Sequence, residues 1–240
     1  MKIETATVIQ GSETPVGEGN NQAQRCILRL SNGTQRAAVL KRLPQQCVIA
    51  EAFSALLLRA WGLTVPDPFL VSGEQNEIHF ASADTGYPNL KQRLHIGEQP
   101  DGLLKESLTN AAYHIVAGLA QTPLAIAADE AIDNRDRNLG NVLWDGADEA
   151  WIDHELVLGL AAHLPDQNKL TIMVDTQDNQ DAIRQSSIAA WMAMNREFPN
   201  DAAVATNAPH LADMVAARLA VLGNRILGRF PAPNDLLSGA

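Results

Sequence analysis

Between Asn134 and Asp153 the chain carries a segment that leaves its backbone few options. Two apolar runs, Val142-Leu143-Trp144 and Ala150-Trp151-Ile152, flank Asp145-Gly146-Ala147-Asp148-Glu149. Asp-Gly between such runs signals a hairpin, and a five-residue connection is of ordinary length. Antiparallel pairing of the runs carries Asn141, at the start of one, to the side of Asp153, just past the end of the other. Immediately upstream stands the polar octet Asn134-Arg135-Asp136-Arg137-Asn138-Leu139-Gly140-Asn141, with Asp136 and Asn141 five positions apart. A hard cation with oxygen ligands fits between Asn141 and Asp153. A calcium loop of the EF-hand type fails here, because Leu139 stands where the turn glycine belongs and no Glu closes the loop. The plainer alternative is an Asx-rich turn that only caps neighbouring elements.

Transfer of a phosphoryl group needs a carboxylate on the acceptor hydroxyl and oxygen ligands for the Mg²⁺ that rides on nucleotide phosphates. An Asp, an Asn five residues later and an Asp on the following strand meet that need in protein kinases. Asp136, Asn141 and Asp153 stand in that order. Upstream, Arg36-Ala37-Ala38-Val39-Leu40-Lys41 reads as a strand ending in a lysine. Ten residues on, Glu51 opens a helix whose apolar stripe is Phe53, Leu56, Leu57 and Ala60. A buried lysine is costly unless paired, and a glutamate on an adjacent helix is the kinase solution. Two solvated surface charges would be the alternative. Strand alternation sends the neighbouring Arg42 to the opposite face.

Ahead of the lysine strand, residues 8–21 form a loop containing Gly11, Ser12, Thr14, Gly17 and Gly19. Glycine and serine amides approach phosphates closely, so its position makes it a candidate phosphate cover. It matches neither G-x-G-x-x-G nor a Walker A motif, and by itself it would be an ordinary hairpin connection. Residues 1–80 hold four or five strand candidates and one helix. The last strand, Ile78-His79-Phe80, leads into a hinge at Ala81-Ser82-Ala83-Asp84, where backbone groups of Ala81 and Ala83 are expected to meet an adenine edge. Beyond it the chain turns helical. Helices are expected over residues 101–120 (Leu104, Leu108, Ala111, Ala112, Ile115, Leu119) and from Thr122-Pro123, as N-cap and N1, to about Ile132. Two more are expected over 181–198 and 209–230, with Trp191, Met192, Met194, Leu211, Val215, Leu219 and Leu222 in the core. Residues 231–240 read as a frayed tail. The fold class expected is α+β: a small antiparallel β-rich lobe, 1–80, and a mainly helical lobe, 81–240, that carries the hairpin.

In this order, Gly11-Ser12-x-x-Pro15, Lys41, Glu51, Gly62-Leu63-x-Val65-Pro66, Asn134-x-Asp136-x4-Asn141 and Ile152-Asp153-His154 resemble the HipA-like kinases. That family is the bacterial branch related to phosphatidylinositol 3-/4-kinases, best known from toxin–antitoxin modules. The resemblance spans residues 5–158 and is to the compact members that lack an extra N-terminal subdomain. It implies a two-lobed protein-kinase-like fold, ATP and Mg²⁺ as cofactors, and transfer to a Ser or Thr hydroxyl of a protein substrate. It also implies Asp136 as the catalytic Asp, Asn141 and Asp153 as Mg²⁺ ligands, Lys41 on the ATP phosphates and Glu51 holding Lys41. An antitoxin partner and autophosphorylation in the loop, at Ser12 ahead of Thr14, follow from the same resemblance. The family commonly has a His two residues after the catalytic Asp; Asn138 stands there, which bears on acceptor-side geometry. A small-molecule or lipid kinase and a nucleotide-binding pseudokinase use the same elements and stay open.

Composition narrows the partners. A net charge of -10 argues against nucleic acid as a main ligand, since phosphate neutralisation needs clustered Lys and Arg. Cys26 and Cys47 form no Cys-x-x-Cys and read as buried free thiols of a reducing cytoplasm. The start, Met1-Lys2-Ile3-Glu4, leads into a strand and not into an apolar leader. The most apolar stretch, residues 111–132, is interrupted by His114, Gln121 and Pro123, so no membrane span is expected. His79, His95, His114, His163 and His210 share no metal-ligand spacing. His154 is expected to support Asp153 from behind, and Glu155 to add charge at most.

Overall fold

A computed structural model describes residues 1–17, 23–73, 77–175 and 177–230 of the 240-residue chain. Residues 18–21 of the candidate phosphate loop and the tail 231–240 lie outside the described residues.

The first part of the chain is a small barrel. Strands β1 (Glu4–Val8), β5 (Pro68–Ser72), β6 (Ile78–Ala83), β4 (Gln35–Lys41) and β3 (Gln24–Leu30) pair in that order, and β1 pairs back with β3 to close the ring. The short β2 (Thr14–Pro15) adds to the outer side of β3. All pairings are antiparallel except β1 with β5, which is parallel, so the lobe is mixed where an antiparallel one was expected. The period of two explains the closure. Cys26, Leu28, Leu30, Ala38, Leu40, Phe69, Val71 and Ala81 alternate with outward residues and, with Ala6, fill a core of their own. Closure leaves β2, paired with β3 alone, as the one edge strand of the ring among the described residues.

Outward residues of β5 and β6, Leu70 and Phe80, face the long helix α1 (Gln45–Ala60) and join a second, larger core. Its apolar stripe is wider than four residues: eleven positions of α1 are buried, Glu51 and Ser54 among them. The extra burial follows from position, because α1 packs on β5 and β6 on one side and on α7 (Phe198–Thr206) on the other. A helix covered on two sides shows little amphipathic contrast.

The remainder is helical: α2 (Leu90–Arg93), α3 (Leu103–Gly118), α4 (Thr122–Ala131), α5 (Lys169–Val174), α6 (Gln180–Ala193), α7 and α8 (Pro209–Arg229). Four expectations need correction. The run expected over 181–198 is two helices, since Met194 is extended and Pro199 starts α7 in its first turn. Met192, expected in the core, is 71% exposed. On α3 the buried face is Ala112, Val116 and Ala117, while Leu104 and Ala111 face solvent. Thr122 opens α4 one residue earlier than assigned and turns its hydroxyl back to the Val116 carbonyl; Gln121 caps. Such shifts of one residue are ordinary at helix ends. Among the described residues no single helix is long and apolar enough to cross a membrane; α3 and α4 pass together only, and the chain bends by 91° between them.

The hairpin forms where expected, β7 (Val142–Trp144) against β8 (Glu149–Trp151), with Val142 opposite Trp151. Its connection is four residues, because Glu149 joins the ladder opposite Trp144. Asp145 accepts hydrogen bonds from the amides of Ala147 (2.8 Å) and Asp148 (2.9 Å), which closes the turn. Two clamps fix the hairpin to the rest: Trp144 donates to the Pro88 carbonyl (2.9 Å) and Trp151 to the Thr64 carbonyl (2.8 Å). The strand pair therefore bridges the segment after β6 and the segment after α1.

Candidate active site

Lys41 ends β4 in register with Phe80, on the face that looks to α1. Its ammonium meets three carboxylates: Asp153 at 2.6 Å, Glu51 at 3.3 Å and Glu155 at 3.3 Å. Each comes from a different place in the sequence or a different phase of the backbone, so only the tertiary fold assembles them. Arg42 points elsewhere, to Glu13 at 2.5 Å and to Gln24. Asn141 donates its side-chain amide to the other Asp153 oxygen at 2.7 Å. The Ile152 amide bonds the Asn141 carbonyl at 3.1 Å, extending the hairpin pairing one step and holding Asp153 beside Asn141. Asp153 itself has φ 69°, the left-handed region that Asp tolerates better than most residues. That turn sends Asp153 to Lys41 and His154 to the opposite side.

Burial decides the protonation states. It pushes the Glu51 carboxyl up to about 7, and the Lys41 charge offsets it only in part. One Glu51 oxygen is buried with no hydrogen-bond partner among the described residues. Burial would lower Lys41, yet Glu51, Asp153 and Glu155 together hold it above the ordinary lysine value. Burial would likewise raise Asp153, and Lys41, followed by Arg137 and Asn141, keeps it below the usual carboxylate range. His154 is held well below its ordinary value by burial and then by Arg137 and Lys41, so it is neutral.

Behind these groups lies Arg137, fully buried, which the sequence reading passed over. It forms a two-pronged pair with Asp129 of α4 (2.7 and 2.9 Å), donates to the Ile152 carbonyl (2.7 Å) and meets His154 Nε2 (3.0 Å). Its guanidinium also stacks 5.6 Å from the Trp151 ring centroid. One side chain thus ties the octet, the end of the hairpin and α4 together. Fork-shaped, always charged Arg suits this better than Lys. Its place between Asp136 and Asn138 was visible, but nothing local marks an Arg as buried.

Asp136 stands in the loop ahead of this cluster. Asn134 accepts from the Asp136 amide (3.2 Å) and donates to Asp129 (2.9 Å). Asn138 donates to the Asp136 carbonyl (3.1 Å) and accepts from Gly140 (2.9 Å), while its own amide bonds the Asn141 side-chain oxygen (2.9 Å). Asn138 therefore knits the loop together. The Asp136 carboxylate, about half exposed, meets the Lys169 ammonium of α5 at 2.9 Å, a partner with no sequence signal.

The remaining candidates do not join the cluster through any contact among the described residues. Gly11 has φ 81°, a turn conformation that glycine permits. The Ser12 hydroxyl donates to the Ile9 carbonyl (2.6 Å) and accepts from the Ile27 amide (3.0 Å), stitching the end of β1 to β3. Thr14 is exposed on β2. The strand β6 runs to Ala83, past the expected start of the hinge. Ala81 faces the barrel interior, and Ala83 packs against the same core and donates its amide to the Asp67 carbonyl (2.9 Å). The Asp84 amide still bonds the Ala37 carbonyl of β4 (3.0 Å), so the first residues free of the sheet are those after Asp84.

No group of three His, Cys, Asp or Glu side chains among the described residues is arranged to hold a metal alone. The chemistry of the donors nonetheless fits a divalent cation shared with a ligand. Three carboxylates against one ammonium leave net negative charge, and Asp153 with the Asn141 amide oxygen offers two hard donors.

No protein-family model and no curated protein matches the sequence. Among solved structures the chain is similar to the proinflammatory kinase CtkA of Helicobacter pylori, with TM-score 0.58 at 15% identity over 93% of this chain and 96% of that one. It is also similar to HipA of Shewanella oneidensis MR-1, solved from a toxin–antitoxin system with HipB and operator DNA. That match has TM-score 0.56 at 10% identity over 89% of this chain and 66% of HipA. Identities this low speak to fold alone. With a sheet-rich first part, a helical second part and these neighbours, the chain has a HipA-like kinase fold.

Proposed function

We propose that this chain is an ATP- and Mg²⁺-dependent kinase that phosphorylates a Ser or Thr hydroxyl of a protein in the cytoplasm. Residues 1–80 act as the nucleotide-binding lobe and 81–240 as the catalytic lobe of one kinase-like unit. The observation that carries the reading is Lys41, held by Glu51, Asp153 and Glu155 with Asn141 on Asp153. A buried ammonium with surplus carboxylates is arranged to receive phosphate oxygens and a cation together. Glu51 orients Lys41 toward the phosphates. Bound Mg²⁺, on Asp153 and Asn141, would neutralise phosphate charge. Asp136 accepts the proton of the acceptor hydroxyl as its oxygen bonds the γ-phosphorus. The bond from that phosphorus to the β–γ bridging oxygen breaks, and ADP leaves with the electron pair. Gly11, Ser12 and Thr14 cover the phosphates, and the backbone around Ala81 to Ala83 and just beyond borders the base. A partner protein of the antitoxin class belongs to the same reading, supported by the HipA neighbour solved with HipB.

The test is incubation with γ-labelled ATP, Mg²⁺ and a cell lysate. Labelled protein bands are expected. Label only in small molecules would point to a metabolite or lipid kinase, and no label at all to a pseudokinase. Label on the chain itself, mapped by mass spectrometry, would place autophosphorylation at Ser12 or Thr14. At Ser12 it requires the loop to open, because the hydroxyl already joins β1 to β3.

The raised Glu51 carboxyl has a consequence for the nucleotide-free protein. Its folded pKa, about 7, lies above the ordinary 4.5, so the folded state binds the extra proton between these values. This contribution to stability is complete below the unfolded pKa and is lost as pH rises through about 7. Between about pH 8 and about pH 5 the wild type should therefore gain melting temperature relative to Glu51→Gln, by several degrees. Parallel melting curves across that range would count against a raised Glu51.

A further inference from the structure

A cavity of about 450 Å³ opens between α2, α3, α5 and residues 137–140. Tyr113, Leu139, Ile172 and Met173 give it apolar walls, and Lys91 and Lys169 bring two ammonium groups to it. It joins the chemistry twice. Its wall includes Asn138, Leu139 and Gly140, between Asp136 and Asn141, and Lys169 reaches Asp136 at 2.9 Å. None of Lys41, Glu51, Asp153 or Glu155 lines it, so it is distinct from the nucleotide cluster, and Lys169 links it to Asp136.

The charge at the cavity runs against the protein as a whole. In a chain of net charge -10, the arginines Arg218, Arg225 and Arg229 are consumed by Glu130, Asp133 and Asp166. Lys91, exposed on α2, pairs with no carboxylate among the described residues. Lys169 has Asp136 alone. Lys91, without a carboxylate partner among the described residues, and Lys169, whose one partner there is Asp136 itself, put cations on two walls of a largely apolar socket, which selects a ligand that is both apolar and anionic. Of the polar lining, Arg137 is satisfied by Asp129, Ile152 and His154, and Asn138 by Asp136 and Gly140, which leaves Gln167 and Tyr113 as the neutral polar side chains at the wall. A small polar metabolite needs several convergent polar groups to fix its orientation. A peptide needs an apolar socket for a side chain, with charge at the rim.

We infer that this cavity is the acceptor subsite and that it takes a peptide whose Ser or Thr is flanked by a large apolar residue and an Asp or Glu. The inference rests on the kinase reading and names the substrate class of that site. The test uses the full chain, Mg·ATP and a degenerate peptide library with a fixed central Ser or Thr. Phosphorylated products should be enriched in Asp or Glu and in Leu, Ile, Met or Phe at nearby positions. Exposed Lys91→Glu should reverse the acidic preference to a basic one, a swing of about 10-fold or more in kcat/KM between matched acidic and basic peptides. Exposed Ile172→Glu should remove the apolar selection. Both variants should bind Mg·ATP with unchanged affinity by calorimetry. The inference is overturned if the library shows no acidic enrichment, or if Lys91→Glu leaves the preference as it was. It is overturned too if Mg·ATP is bound and no peptide is phosphorylated, an outcome that leaves nucleotide use standing. Absence of Mg·ATP binding in the wild type would remove the kinase reading and this subsite with it.

Discussion

Asp153→Ala is expected to lower turnover by about 10³-fold or more, at or above the scale on which positioned charge stabilises a phosphoryl-transfer transition state. Asp153 has two duties in this fold. One oxygen meets Lys41 at 2.6 Å and the other takes the Asn141 amide at 2.7 Å. Removing it takes away the carboxylate expected to hold Mg²⁺ and frees Asn141 from its only carboxylate neighbour among the described residues. The fold should survive, since Lys41 keeps Glu51 and Glu155, each at 3.3 Å. Calorimetry separates the effects: Mg²⁺ should strengthen ATP binding to the wild type and add nothing in the variant. An Asp153→Ala protein with normal activity would end the metal assignment.

Asp136→Asn should lower kcat by about 10²-fold or more, the range of general-base contributions, with nucleotide affinity little changed. Asp136 is apart from the Lys41 cluster and reaches Lys169 on the acceptor side. That pair is partly exposed, so its loss should cost about 1 kcal/mol or less of stability. The change in rate can then be read as chemistry. Collapse of ATP affinity with turnover intact would exchange the roles of Asp136 and Asp153.

Lys41 and Glu51 were legible because the strand and the helix that present them announce themselves by period. The helix α1 nonetheless begins at Gln45, and Glu51 lies within it where it was expected to open it. Asn141 and Asp153 were legible because a hairpin with an Asp-Gly turn has few registers, and the one formed, with Val142 opposite Trp151, brings the two together. These are local constraints, and a chain of residues close in sequence can carry them. Glu155 was undervalued for a local reason as well: alternation places it in phase with Asp153, but its approach to Lys41 at 3.3 Å depends on the left-handed backbone at Asp153.

What only the tertiary structure decided has long sequence separation or depends on which face is covered. Closure of the barrel through β1 and β3 turned Ala81 inward and carried β6 through Ala83, into the hinge that the pattern suggested. Met192 sits in an apolar pattern, yet among the described residues nothing covers it on α6. Arg137 and Lys169 carry no local signal of burial or pairing, since a solvated surface position is the ordinary fate of such residues. One became the buried tie between Asp129, Ile152 and His154, and the other the partner of Asp136 across 33 positions. The sequence determined that strand, helix and hairpin would offer Lys41, Glu51, Asn141 and Asp153, because short-range periodicity and turn chemistry are written in neighbouring residues. The packing of α1, α4 and α5 around the octet decided which charges are buried and paired, because desolvation and ion pairing depend on what the rest of the chain brings alongside.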